Sequence, residues 1–586
     1  MKNFLNVVLM TLFILILTGT SVLAQEGANI NEVLDKALKE IVETKKVKGA
    51  ILTVISNQDE NELIKGYGYA DEYSNILADG EKTAFRIGSI SKTFVAVAAL
   101  KLSEEGSLDM NKDISSYLSN DFPKFKYPIT MHQLLTHTAG FEDMVTGIAV
   151  FNVSDTEPLS TSVSQHMPDQ VFKPGEIISY SNYSIALAAL VVENISGMDF
   201  GEYCQENIFK VLNMERTTFK HMQDISFVSK PYTPNGKETL EPFMNLYPEG
   251  SAVSTAEDMA KYMKWLITDD GRILSKEHKE KLFDKQFSMV DEFSGIGYIW
   301  NRKERNGNMY FDKKGETLHF YSRIALYPEK NSAVFLSFNT YLPEHEINEL
   351  MNKATDELYG KTTEIDTYSG LGDLDIRGSY VNNWSNFTTP EKILNYILPG
   401  KLLKISGSID KGFYLNGERM FQIGEDTYNT PSGIFKFLSE DGKVVIATES
   451  AITYSKIPVW QYVWVQNMVV ILFVLFAVGC LLVELYIISK GKSDKYRRII
   501  LICSGFQFLA FFALSLLVYK GIVSFSLLNL LPYLRLCGWL IISTSLVGVL
   551  CSFYINAKYN RLIPFTIIWN LASIIFCVWL SVLNFV

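Results

Sequence analysis

Three short motifs carry the chemistry that this chain can do: Ser89-Ile90-Ser91-Lys92, then Tyr180-Ser181-Asn182, then Lys313-Lys314-Gly315. A serine hydroxyl becomes a nucleophile when a neighbouring base takes its proton. A lysine serves as that base when burial and nearby charge lower its pKa from ~10.4 toward ~7 to 8. Ser89 and Lys92 are three residues apart, a spacing that puts two side chains on one helical face, whereas Ser91 adjoins Lys92 and points elsewhere. Ser89 is therefore read as the nucleophile and neutral Lys92 as its base. Tyr180 is read as a second proton handler, serving the leaving group or the deacylating water. Asn182 holds either the Lys92 side chain or a substrate amide. Lys313 adds positive charge beside the tyrosine and offers a partner to a substrate carboxylate.

These residues need elements to position them. Ser91 to Leu102 is rich in Ala, Val and Leu and free of Gly and Pro, which predicts a buried helix. The tetrahedral oxyanion of acyl transfer needs two preorganised donors. The backbone N–H groups of Ser89 and Glu316 supply them if Lys313-Lys314-Gly315 is a turn opening an edge strand, with Gly315 leaving room for a substrate backbone. Val33/Leu34, Ala37/Leu38 and Ile41/Val42 recur at helical spacing, Ala50 to Ile55 reads as a strand, Arg323 to Tyr327 and Ala333 to Phe338 read as two more, and Glu344 to Leu358 reads as a closing helix. Strands at both ends around a helical middle predict an α+β fold, an antiparallel sheet flanked by helices.

On these residues the chain resembles the serine β-lactamases and penicillin-binding proteins, in particular their class C and D-aminopeptidase-like branch. The resemblance extends to Phe85-Arg86-Ile87-Gly88 before the serine, to Leu134-Leu135-Thr136-His137-Thr138-Ala139-Gly140-Phe141, to Pro174-Gly175-Glu176, and to Gly250-Ser251-Ala252-Val253-Ser254-Thr255-Ala256-Glu257-Asp258-Met259. It implies a β-lactamase/transpeptidase-like domain and an acyl-enzyme on Ser89. Two residues depart from the family pattern, Lys314 within the Lys-x-Gly motif and His319 before Phe320. A basic residue there either selects an acidic ligand or is a solvated strand residue. His137 is read as a packed or loop-bracing residue, since the family uses no histidine base.

The 586 residues carry a net charge of −10 and a mean hydropathy of +0.09. No basic clusters for nucleic-acid phosphates accompany that acidic balance, so nucleic-acid binding is not expected. The seven histidines form no metal-ligand spacing, and neither a metal nor a cofactor is expected. Lys2, the apolar run Val7 to Leu17 and Ser21-Val22-Leu23-Ala24 form a three-part leader ending at residue 24, with an uncleaved anchor as the alternative. Four apolar stretches near 465–488, 499–519, 532–555 and 563–585 each approach the ~20 residues needed to cross a bilayer. Lys490, Lys492, Lys495, Arg497 and Arg498, and later Lys558 and Arg561, put the first and third loops on the cytoplasmic side. The catalytic domain is then extracytoplasmic on a multi-pass membrane protein. Of the six cysteines only Cys204 lies outside the apolar region, so the exported part holds no internal disulfide.

The expected organisation is a leader (1–24), a hydrolase domain (25–360), a linker (361–375), a β-rich accessory domain (376–457) and four membrane helices (464–586). The accessory domain is read as a spacer in preference to a substrate-gating lid. Glu484, Gln507 and Asn570 are polar positions within the apolar stretches that could line a conduit. The architecture resembles membrane-bound D-amino-acid-specific peptidases, which makes the expected substrate a D-amino-acid-containing peptide, either a peptidoglycan stem or a nonribosomal peptide antibiotic. A β-lactamase or esterase of the same family is the alternative within enzymes. A membrane-coupled peptide or β-lactam sensor is the alternative outside them, and a membrane partner such as a transporter fits either.

Overall fold

The computed structural model describes residues 29–585 apart from 45–46, 57–61, 222–224, 362–367, 369–373, 399, 409–410, 431–432, 441–442, 451, 492–494 and 560–563. The expected leader and most of the expected linker lie outside the described residues.

Helix α1 (Ile30–Thr44) buries Ile30, Leu34 and Leu38, a stripe repeating every four residues. Strand β1 (Gly49–Ile55) is buried along its whole length because both sheet faces are covered. Ala50, Leu52 and Val54 face the layer formed by α1 and a late helix, while Ile51 and Ile55 face the main helical core. Strands β2 (Leu63–Asp71), β3 (Ile76–Leu77), β4 (Asn301–Arg305), β5 (Asn308–Glu316), β6 (Tyr321–Tyr327) and β7 (Ser332–Phe338) complete an antiparallel sheet in the order β3-β2-β1-β7-β6-β5-β4. Chain ends far apart in sequence thus meet at its centre, where Ala50 lies opposite Phe338.

Between β3 and β4 the chain builds the helical layer. Helix α2 (Lys92–Glu104), α3 (Asn182–Ser196) and α4 (Ala256–Ile267) pack into one core with the inner sheet face. Helix α2 is apolar almost all round and buried accordingly. Helix α3 begins at Ser181, whose side chain accepts the Ser184 N–H at 3.0 Å, and ends at Gly197 in the left-handed conformation. Helix α5 (Glu344–Tyr359) closes the outer face through Ile347, Leu350 and Ala354.

Nine further strands between Gly378 and Ile457 form one antiparallel sheet. Its first strand (Gly378–Asn382) pairs with both the second (Leu402–Ser408) and the last (Thr453–Ile457), and its two edge strands, Glu418–Arg419 and Phe421–Gly424, are separated by a single residue, so the sheet curls nearly into a barrel. Tyr380, Ile405, Phe437 and Ile446 fill it.

Four helices follow: α6 (Val463–Ser489), α7 (Lys495–Val523), α8 (Leu531–Tyr559) and α9 (Pro564–Val582). Three candidate spans, covering α6, α7 and the α8 region, are long and apolar enough to cross a membrane, where four had been expected; the fourth helix counts only as a shorter apolar helix over Leu571–Val582. Phe473 of α6 stacks on Phe576 of α9 at 3.9 Å. The polar positions are occupied by helix packing. Gln507 donates to Ser545 at 2.9 Å, and Glu484 lies 3.5 Å from Arg497. The side chain of Asn570 lies outside the described residues.

Candidate active site

Gly88 to Ser91 form a 3-10 turn that leads into α2, with Gly88 at φ +53°. A Cβ on Gly88 would fall 2.5 Å from the backbone nitrogen of Glu316, and one on Gly315 would fall 2.0 Å from the carbonyl oxygen of Ile87. The two glycines therefore let the serine turn nest against the end of β5. This corrects two expectations. Lys313-Lys314-Gly315 lies inside β5 and not in a turn, and Gly315 makes room for the protein's own backbone, not for a substrate's. Strand β5 is not an edge strand either; its neighbour β4 stops at the Asn301–Asp312 pair, which leaves the stretch from Lys313 to Glu316 open on that side.

Lys92 Nζ lies 2.8 Å from Ser89 Oγ. Ser91 turns away, donating to Gly88 O at 2.6 Å and accepting from Ala252 N at 3.2 Å. Tyr180 comes from the loop before α3, with its ring beneath both lysines: Lys92 Nζ is 5.4 Å and Lys313 Nζ 4.8 Å from the ring centroid. Lys313, Lys92 and Ser89 all act on its phenol. Burial alone would raise the phenol's pKa, but the ammonium groups of Lys313 and Lys92 outweigh it and bring Tyr180 below its ordinary value. Lys313 is itself lowered, by burial first, with Lys92 adding to the effect and Tyr180 opposing it.

Lys92 departs from expectation. Burial works against its ammonium, yet the carboxylate of Glu249, with Tyr180 adding to it, overcomes that and raises its pKa above the ordinary lysine value. Lys92 Nζ donates to Glu249 Oε2 and to Glu249 O, each at 2.5 Å. Glu249 thus takes one of the two places considered for Asn182, whose Oδ1 is buried without a hydrogen-bond partner. A short ladder sets Glu249 there: Phe85–Arg86 pairs with Val253–Ser254, and Ile87 N donates to Ala252 O at 3.0 Å. The only signal for it in the sequence is its position directly before the Gly250-to-Met259 block.

Alternation along β5 sends Lys313 and Gly315 inward and Lys314 and Glu316 outward. Lys314 pairs with Glu344 of α5, and the side chain of Glu316 with Arg323 at 3.1 Å. His319 Nδ1 lies 2.9 Å from buried Glu241. His137, at φ +56°, packs its ring 4.3 Å from that of Tyr180, and its Nδ1 accepts the Ser181 N–H at 3.3 Å. Burial together with Lys313 and Lys92 holds His137 neutral.

The β-rich sheet completes one wall, an arrangement that does not suit a spacer. Trp384 sets its ring edge-on to Tyr180 at 4.9 Å. Ser179 Oγ donates to Asn383 O at 2.9 Å, and Thr453 Oγ1 to Ile178 O at 2.7 Å. Buried Glu142 accepts from the N–H groups of Phe387 and Thr388, and buried Glu391 accepts from those of Val145 and Thr146 at 2.7 Å. The same loop meets the helix bundle. Gly147 N donates to Phe525 O at 3.1 Å, Leu528 N to Thr146 Oγ1 at 3.0 Å, and Phe151 stacks on Phe525.

The profile of the family described as Beta-lactamase matches residues 34–354, more than half of the chain. The chain belongs to the beta-lactamase family. Protein flp of Staphylococcus aureus (strain N315) is 27% identical over 345 residues, which cover 54% of this chain and 66% of that relative. The putative penicillin-binding protein PbpX of Bacillus subtilis (strain 168) is 30% identical over 224 residues, 37% of this chain and 54% of the relative. The chain therefore spans just under two thirds, and about half, of these curated relatives' lengths. Among solved structures, SurE is similar in fold, with a TM-score of 0.53 and 17% identity over 74% of this chain and 100% of that one. The octameric penicillin-binding protein homologue from Pyrococcus abyssi matches with a TM-score of 0.49 and 23% identity over 73% of this chain and all of that one. Serine chemistry in this beta-lactamase-family chain thus has a fold and a set of polar groups to work with.

Proposed function

We propose that this chain is an exported, membrane-anchored serine hydrolase that forms an acyl-enzyme on Ser89 and cleaves amide bonds of D-amino-acid-containing peptides. Its working parts are a hydrolase domain to residue 360, the β-rich domain 376–457 and the helices from 464 onward. The observation that carries the reading is the 2.8 Å approach of Ser89 Oγ to Lys92 Nζ, beside a Tyr180 ring that Lys313 Nζ also faces. Ser89 Oγ attacks the substrate carbonyl carbon as its proton passes to Tyr180. The oxyanion settles between the N–H groups of Ser89 and Glu316, where losing one donor costs about 3 kcal/mol of transition-state stabilisation. The C–N bond breaks, the amine leaves with the proton from Tyr180, and water hydrolyses the ester by the reverse route. The open side of β5 at 313–316 suits an extended peptide, Asn182 Oδ1 suits its amide, and Lys313 suits its carboxylate.

The test is intact-mass labelling of the full chain with a fluorescent penicillin and a fluorophosphonate. A penicillin is chosen because a penicillin-binding protein stands among the relatives. An adduct in the wild type and in Ser91→Ala but not in Ser89→Ala is expected. No adduct with either probe, or one that survives Ser89→Ala, overturns the reading. Adduct lifetime separates the peptidase from a β-lactamase, which would release the penicilloyl group rapidly.

A further inference from the structure

The site contains one acid more than the proposed chemistry employs. Glu249 is buried, and both its carboxylate and its carbonyl oxygen point at the ammonium of Lys92. No other cation is bonded to that carboxylate among the described residues. Arg86 feels its charge without a bond to it; Arg86 donates to Pro242 O at 2.8 Å and stands 3.8 Å from Glu241. Were Lys92 to give up a proton, Glu249 would be left as a buried anion without its bonded counterion, a state proteins avoid. The groups facing Lys92 from every neighbouring element are Glu249, Tyr180 and Lys313, with neutral His137 behind the tyrosine. Lys92 and Glu249 cancel. That leaves Tyr180 and Lys313 facing each other as the site's second pair, with Lys313 Nζ 4.8 Å from the centre of the ring.

We propose that Glu249 is a positioning residue that fixes Lys92 as a permanent ammonium, so that the proton of Ser89 leaves for Tyr180 and the Tyr180–Lys313 pair sets the ionisation of the site. The inference rests on the serine hydrolase reading. In the acylation step the O–H bond of Ser89 breaks as its bond to the substrate carbon forms, the proton goes to the phenolate oxygen of Tyr180, and Lys92 keeps its three protons throughout. Lys92 then acts by charge, holding the phenolate and orienting Oγ. The raised pKa of Lys92 and the lowered pKa values of Tyr180 and Lys313 agree with this division.

Two measurements on the detergent-solubilised full chain test it. The first is a thermal-stability cycle of Glu249→Gln, Lys92→Gln and the double variant. Each single variant leaves one buried charge alone and is expected to lower Tm, and the double variant to recover part of the loss; strictly additive losses overturn the charge pair. The second is the pH dependence of penicillin acylation at Ser89. Removing the carboxylate lowers the pKa of Lys92 and also that of Tyr180, which Glu249 now raises. The acid limb should move to lower pH by about one unit, the lower end of the usual effect of a neighbouring charge, while the plateau rate falls about tenfold. A plateau that holds or rises would mean that Lys92 works as a free amine, and an unmoved limb would mean a structural role alone; either overturns the proposal. Should the wild type fail to be acylated, the hydrolase reading falls and the stability cycle still decides the charge pair.

Discussion

Tyr180 packs its ring against both lysines of the site, so on the proposed mechanism single substitutions around it should separate proton handling from folding. Tyr180→Phe removes the oxygen but keeps the ring between His137 and Trp384. It should cut the acylation rate by about 10² to 10⁴ with little change in Tm, measured by time-resolved labelling and thermal unfolding. Lys313→Met removes the strongest influence that lowers the phenol's pKa. On the proposed mechanism the phenolate is the reactive form, so the acid limb should then rise by about one pH unit or more, opposite in sign to Glu249→Gln. Ser89, Lys92, Tyr180 and Lys313 were legible as candidates because each motif is local, and a spacing of three residues survives folding unchanged. Glu249 was not legible: it is one of 64 acidic residues, and its meaning depends on a strand ladder bringing it beneath a lysine 157 positions away. The reading of Lys92 as a neutral base took no account of that carboxylate for the same reason.

Among the elements, β5 and the 3-10 turn before α2 fit by two missing side chains. Gly315→Ala places a methyl group against Ile87 O and Ile90, and should destabilise the chain by about 1–3 kcal/mol while abolishing acylation, read by thermal unfolding and labelling. Lys314→Ala, on the outer face, removes a partly exposed ion pair with Glu344 and should cost about 1 kcal/mol or less with acylation intact. Three of the sheet's strands, β1, β6 and β7, were readable as short apolar runs, and the closing helix from its period. Lys-Lys-Gly looked like a turn because its residues favour turns in isolation, and six pairs to β6 override that preference.

Over the whole molecule, the loop 141–151 joins three parts: Glu142 and Glu391 fasten it to the β-rich sheet, and Thr146, Gly147 and Phe151 fasten it to the turn between α7 and α8. Glu391→Ala leaves the N–H groups of Val145 and Thr146 and the Thr146 hydroxyl without their shared acceptor. It should loosen this junction by about 2–5 kcal/mol, seen as faster proteolytic cutting near residues 145–151. The accessory sheet was recognisable as β-rich from its turn signals, but no local pattern says that a tryptophan from it will touch a tyrosine from another part of the chain. That contact also sets an order of manufacture. The nucleophile at 89 emerges from the ribosome early, Trp384 much later, and the Phe525 turn only after two apolar helices have been delivered. The surroundings of Tyr180 are among the last features to be assembled, so a half-made chain carries Ser89 without the tryptophan that later packs beside its tyrosine.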